Sequence, residues 1–68
     1  MLSVFVNGKS HVCRSASPTV AELVAELGLA GKRIAIERNG EIVPKGAYGS
    51  TVLSAGDRLE IVVAVGGG

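Results

Sequence analysis

Thr19-Val20-Ala21-Glu22-Leu23-Val24-Ala25-Glu26-Leu27-Gly28 is the stretch on which the fold turns. Thr19 followed three residues later by Glu22 makes a capping box: the hydroxyl accepts from a free amide of the first helical turn, and the carboxylate reaches back to the backbone N–H of Thr19. Behind this start, Val20, Leu23, Val24 and Leu27 fall at i, i+3, i+4 and i+7, a single apolar stripe, while Glu22 and Glu26 point to water. Gly28 is placed to end the helix in the left-handed conformation. One short helix with one apolar face needs a sheet to cover.

Both flanks supply strands. Upstream, Leu2, Val4 and Val6 alternate with Ser3 and Phe5, the period of a half-buried strand, and Asn7-Gly8 follows. Asn-Gly between extended segments signals a type I′ hairpin, because both turn residues need positive φ. A two-residue loop sets Val6 opposite Lys9, Val4 opposite His11 and Leu2 opposite Cys13, which places Cys13 on the core face. Downstream, residues 34–38, Asn39-Gly40 and residues 41–43 repeat the pattern, and Pro44 closes the strand because it cannot donate to a ladder. Residues 45–53 have no clean period and are expected to form a short helical turn or loop anchored by Tyr48, Val52 and Leu53. Ala55-Gly56-Asp57 is a turn, and residues 58–65 form the last strand.

Two hairpins therefore flank one helix. If the crossover through the helix takes the usual right hand, the first and last strands pair in parallel at the sheet centre. The expected fold class is α+β: a β-grasp arrangement with a mixed four- to five-stranded sheet packed on one main helix. At 68 residues the chain has room for one domain, expected at 1–65, followed by a flexible glycine tail at 66–68. Cys13 is the only cysteine and His11 the only histidine, so an internal disulfide framework and a structural zinc site built from Cys and His alone are both excluded. A formal net charge of +1, with no basic stripe, argues against nucleic acid. Apolar runs are too short to span a bilayer, and the N-terminus lacks a basic stretch followed by a signal core, so a cytoplasmic protein, monomeric when free, is expected.

The chain ends on Gly66-Gly67-Gly68, directly after the apolar run of the last strand. Glycine has no side chain, so such a tail threads a narrow channel, and three extended residues reach about 10 Å. A floppy terminus or the remnant of a linker is the alternative. Elsewhere, catalytic patterns dissolve on inspection. The stretch from Lys45 to Thr51 lacks the Gly-Lys-Ser/Thr ending of a phosphate loop. His11 and Cys13 have no orienting group nearby in sequence and read as a rim imidazole and a buried thiol. Glu22 and Glu26 read as a solvated face, with no pocket to raise a pKa. A chain without catalytic groups but with a reaching carboxylate, that of Gly68, suits a protein that is acted upon. That carboxylate is ionised and inert at neutral pH, and attack on the α-phosphate of ATP would activate it on a partner enzyme. Beside the tail, Phe5, Val62 and Ala64 share the outer sheet face, where they form either an exposed docking patch or a surface covered by the domain's own loops.

The chain resembles the ThiS family, sulfur carriers of thiamin thiazole biosynthesis, over essentially its whole length. The residues that carry this are Val6-Asn7-Gly8, Thr19-Val20-Ala21-Glu22-Leu23, Asn39-Gly40-Glu41-Ile42-Val43-Pro44, Gly56-Asp57-Arg58 with Glu60-Ile61-Val62, and Ala64-Val65-Gly66-Gly67-Gly68. The resemblance implies a ubiquitin-like β-grasp fold. It further implies that Gly68 is adenylated by the E1-like enzyme ThiF with ATP and magnesium, converted to a thiocarboxylate, and presented to the thiazole synthase ThiG. Sulfur would come from a cysteine desulfurase, directly or through a persulfide relay. On this reading Gly66, Gly67, Val65, Ala64, Val62 and Phe5 meet the partners, and the chain itself binds no cofactor or metal. Two departures are Tyr48, where many relatives carry Trp, and the His11-Val12-Cys13 strand. A small subunit of molybdopterin synthase of the MoaD type, a carrier for another thiolation pathway, and a ubiquitin-like protein modifier are the alternatives.

Overall fold

The computed structural model describes residues 1–64; Val65, Gly66, Gly67 and Gly68 lie outside the described residues, and with them the proposed tail at 66–68. The elements in chain order are β1 (Leu2–Val6), β2 (Lys9–Cys13), α1 (Val20–Glu26), β3 (Ile34–Arg38), β4 (Glu41–Ile42), a 3₁₀ turn (Lys45–Ala47) and β5 (Arg58–Val63). They form a five-stranded sheet in the order β2-β1-β5-β3-β4. β1 and β5 run parallel at the centre and the other pairs are antiparallel, so the mixed β-grasp sheet is as expected.

The two Asn-Gly turns set this topology. Asn7 and Gly8 have φ of 50° and 84°, and Asn39 and Gly40 have φ of 51° and 88°. Both positions of each turn are thus left-handed, the geometry whose twist matches the strands it joins. The first hairpin takes the register read from a two-residue loop, Leu2 opposite Cys13 through Val6 opposite Lys9. A slip of one residue would have carried Val4 and Cys13 from the core to water.

The capping box at α1 is closed: the Glu22 N–H donates to Thr19 Oγ1 at 3.1 Å, and the Thr19 N–H to Glu22 Oε1 at 3.0 Å. The preceding free amides of the first turn find partners in the segment that has no sequence period. Val20 N–H donates to the Thr51 carbonyl at 2.9 Å and Ala21 N–H to the Tyr48 carbonyl at 3.0 Å. Residues 45–53 are shaped by this task, since the first N–H groups of a helix have no partner within it. That explains why they lack a hydrophobic rhythm. Leu53 is buried as expected and Tyr48 is partly buried, but Val52 is exposed: it forms a bridge with Thr19, which turns its side chain outward. At the other end Gly28, with φ of 75°, carries a Schellman closure, Gly28 N–H to the Ala25 carbonyl and Leu29 N–H to the Val24 carbonyl.

Val20, Leu23 and Val24 of α1 pack on Val4, Cys13, Ile36, Leu59 and Ile61 of the sheet, with Val43 and Leu53 completing the core. Leu27 ends the stripe only partly buried. β4 is one residue shorter than its sequence pattern, yet Val43 still donates to the Ile36 carbonyl and is buried. β5 ends at Val63, where the sequence pattern extends it to Val65.

Asp57 is the one buried charged residue among those described. Its carboxylate accepts from Arg38 Nε at 2.7 Å, Asn39 Nδ2 at 3.1 Å and the Ser54 backbone N–H at 2.8 Å. Burial pushes this carboxyl upward, but the hydrogen bonds from Ser54, Asn39 and Arg38 outweigh burial and hold it below its ordinary value.

Leu23→Ala is expected to lower the unfolding free energy by ~2 to 5 kcal/mol through a core cavity, and Thr19→Ala by about 1 kcal/mol through loss of the cap. Urea melts measure both, and a neutral Leu23→Ala would contradict the seating of the helix. The Asp57 network adds a pH dependence. Because the folded value is depressed, its stabilisation is fully present above the unfolded carboxyl value of about 4 and fades as pH falls through the folded value. Asp57→Asn is expected to lower the urea midpoint at neutral pH and flatten its acid dependence. Parallel acid profiles for the two proteins would contradict this assignment.

Candidate functional site

β5 leads the chain toward its C-terminal glycines from the middle of the sheet, and both of its flanks are bonded. On the β1 side, Phe5 N–H donates to the Asp57 carbonyl and Asn7 N–H to the Leu59 carbonyl, each at 2.8 Å. β1 ends there, but the Asn7 side chain continues the ladder. Its Nδ2 donates to the Ile61 carbonyl at 3.0 Å, and its Oδ1 accepts from the Ile61 N–H at 2.8 Å. A side-chain amide thus stands in for the next peptide of a strand that has already turned away. On the β3 side the pairing runs from Arg38 opposite Leu59 to Ile34 opposite Val63, and Ala64 N–H adds a bond to the Arg33 carbonyl at 2.9 Å. The Asn39 side chain bonds this flank too, its Oδ1 accepting from the Arg58 N–H at 2.9 Å.

The helix covers one face of the sheet. On the other, Val62 is 65% exposed and Phe5 42%, which makes both available to a partner. Phe5 sits opposite Arg58, so Val62 lies four residues further along β5, roughly 13 Å at the usual strand rise. Exposed Arg58 stands beside Phe5 on the outer face, and exposed Glu60 lies between Arg58 and Val62. Val62 is paired with exposed Ala35 of β3, and the next outward pair is Glu60 opposite Glu37. Val62 with Ala35, bordered by two carboxylates, is therefore the apolar pair of this face at the Ala64 end of β5, and Phe5 lies at the far end of the same face. Ala64 is exposed. Val65, Gly66, Gly67 and Gly68 lie outside the described residues. Ala35 and Glu37 were not singled out in the sequence, and the pairing of Glu37 with Glu60 could not be; their signal is the β3–β5 register, which needs the long-range pairing to be known.

Cys13 is fully buried, and its thiol is pushed up by burial first and then by Glu26 and Glu22. It is protonated at neutral pH and unsuited to nucleophilic work. Glu26, which the helical period directs to water, instead folds onto β2: its Oε1 lies 3.0 Å from His11 Nε2 and its Oε2 accepts from the Arg14 backbone N–H at 3.2 Å. The His11 and Arg14 bonds hold this carboxyl below its ordinary value. No helix among the described residues is long and apolar enough to cross a membrane.

A mixed five-stranded sheet wrapped on one helix, with its central last strand leading to terminal glycines, defines a ubiquitin-like β-grasp protein. The chain belongs to the ThiS family, whose model matches residues 4–68 and so includes all three final glycines. It is 38% identical to the sulfur carrier protein ThiS of Bacillus subtilis, with 93% of this chain and 96% of that protein covered. It superposes on the crystal structure of the thiamine biosynthesis protein ThiS from Geobacter metallireducens with a TM-score of 0.80 and 33% identity, covering 98% of this chain and 100% of that one. It is also 45% identical over 67 residues to a thiazole synthase of Paramagnetospirillum magneticum, but spans only 20% of that protein's length.

If the outer face is open, Val62→Asp should change stability by less than about 1 kcal/mol, whereas Leu59→Ala, one strand face away, should cost ~2 to 5 kcal/mol. Equal losses in denaturant melts would show that Val62 is covered.

Proposed function

We propose that this chain is a sulfur carrier for thiazole formation in thiamin biosynthesis, acting in the cytoplasm, with residues 1–65 as a recognition domain and 66–68 as a reactive tail. The carboxylate of Gly68 attacks the α-phosphate of ATP, held with magnesium on a ThiF-like adenylating enzyme; pyrophosphate leaves and a glycyl adenylate forms. A persulfide, on a cysteine desulfurase directly or on a relay protein, displaces AMP to give an acyl disulfide. A thiol then cleaves the sulfur–sulfur bond, is itself oxidised to a disulfide with the carrier cysteine, and leaves the thiocarboxylate. A ThiG-like thiazole synthase then takes up the sulfur. The chain acts as co-substrate and contributes no catalytic group.

The observation that carries this reading is the placement of β5. A strand bonded on both flanks through Ile61 and Val63, followed by glycines that offer no side chain to obstruct a channel, suits delivery of a carboxylate into another protein's site. The family match through residue 68 supports it. The thiazole synthase of Paramagnetospirillum magneticum, similar to this chain over a fifth of its own length, supports the choice of synthase. Val62 and Ala35 offer a small apolar anchor beside the tail, and Glu37 with Glu60 offers two like charges side by side. Such a pair opposes folding unless a partner's cation meets it.

Incubation with the adenylating enzyme, ATP, magnesium and a sulfur source is expected to raise the intact mass by the difference between one sulfur and one oxygen, localised to Gly68. The adenylate should accumulate when sulfur is omitted. Deleting Gly68, or adding a bulky residue after it, is expected to abolish the shift while leaving the melting curve unchanged. Full modification of an untrimmed, C-terminally extended chain would overturn the proposal. In calorimetric titrations Val62→Asp is expected to weaken binding to the adenylating enzyme or the synthase, and unchanged affinity for both would remove Val62 from the interface.

A further inference from the structure

Chemistry-bearing side chains converge at a second place, on the opposite side of the sheet from Val62. β2 sets His11 and Cys13 two residues apart on its inner face, and the last turn of α1 brings Glu26 to them. One imidazole nitrogen, the thiol sulfur and one carboxylate oxygen all lie within 4.8 Å of one another. The His11–Glu26 contact at 3.0 Å sits over Cys13, which is fully buried, and the surface there is lined by His11, Val12, Arg14 and Glu26.

We propose that His11, Cys13 and Glu26 form a binding site for a zinc-class divalent cation, with its fourth position open to solvent. Thiolate, imidazole and carboxylate are the three ligand types that zinc accepts, whereas magnesium or calcium calls for oxygen ligands alone. Zinc–ligand bonds of 2.0 to 2.3 Å set tetrahedral ligand edges of roughly 3.5 Å, so His11 Nε2 and Glu26 Oε1, 3.0 Å apart, must open slightly, while their separations from the Cys13 sulfur, within 4.8 Å, must close to about that edge. Cys13 is fixed in the core, but His11 and Glu26 lie at the rim and make up this distance by side-chain rotation. Binding replaces the His11–Glu26 hydrogen bond. The thiol proton of Cys13 leaves to solvent, His11 coordinates as neutral imidazole through Nε2, and Glu26 coordinates through Oε1. Its Oε2 keeps the bond from the Arg14 N–H, the kind of outer contact that fixes a ligand's orientation. The site would tie β2 to the end of α1. It is separate from the Gly68 chemistry, and its presence or absence is measured independently of it.

The test is titration of the reduced, metal-free full chain with cobalt(II), followed by zinc. The proposal expects a thiolate-to-cobalt charge-transfer band in the near ultraviolet that saturates at one cobalt per chain and is removed by zinc. It also expects a zinc-dependent rise in melting temperature. Cys13→Ser should abolish the band. Because that substitution lies in the core, His11→Ala and Glu26→Gln are the decisive variants: each is expected to keep the native circular dichroism and to weaken binding by more than about a hundredfold, beyond the loss that removing an outer contact alone causes. No charge-transfer band in the folded wild type would overturn the proposal, as would undiminished affinity in both rim variants.

Discussion

The hydrogen bonds between the Asn7 side-chain amide and the backbone of Ile61 are the constraint on which the rest of the structure depends. A parallel pair at the centre of a small sheet has no local turn to hold it, and here β1 and β5 are separated by most of the chain. Asn7 lengthens that pairing beyond the end of β1, while its own positive φ makes the turn that sends β2 back. Asn39 does the same from the other hairpin, bonding Arg58 and the Asp57 carboxylate while turning β3 into β4. The two hairpin tips thus both form turns and clasp the strand that leads to the glycines.

Much of the molecule was legible because its signals are local. The Asn-Gly pairs, the Thr19–Glu22 box and the stripe Val20, Leu23, Val24 each rest on spacing within a few residues, and local signals of this kind survive into the fold when they agree with one another. What was not legible depends on distant partners. Residues 45–53 are organised by the free amides of α1, so the reason for their conformation lies more than twenty residues upstream. Glu26 follows the helical period to the surface, but the surface at that point is β2, with His11 facing it. The separation of Phe5 from Val62 is likewise a matter of β1–β5 register.

The two faces of the sheet divide the work. The inner face, with Leu59 and Ile61 against Leu23, supplies the hydrophobic stabilisation of a chain close to the lower size limit for a core without cross-links. The outer face is left open, with Val62, Ala35, Glu37 and Glu60 all exposed. Under the proposed function this division keeps the surface offered to partner enzymes apart from the residues that hold the core.

Tandem mass spectrometry of the chain isolated from thiamin-producing cells, under conditions that preserve thioacids, is the decisive measurement for sulfur carriage at Gly68. Replacement of one oxygen by sulfur in a fraction of the molecules, mapped to Gly68, is the expected result. Sulfur found only as a persulfide on Cys13, or Gly68 found only in amide linkage to lysines of other proteins, would contradict it.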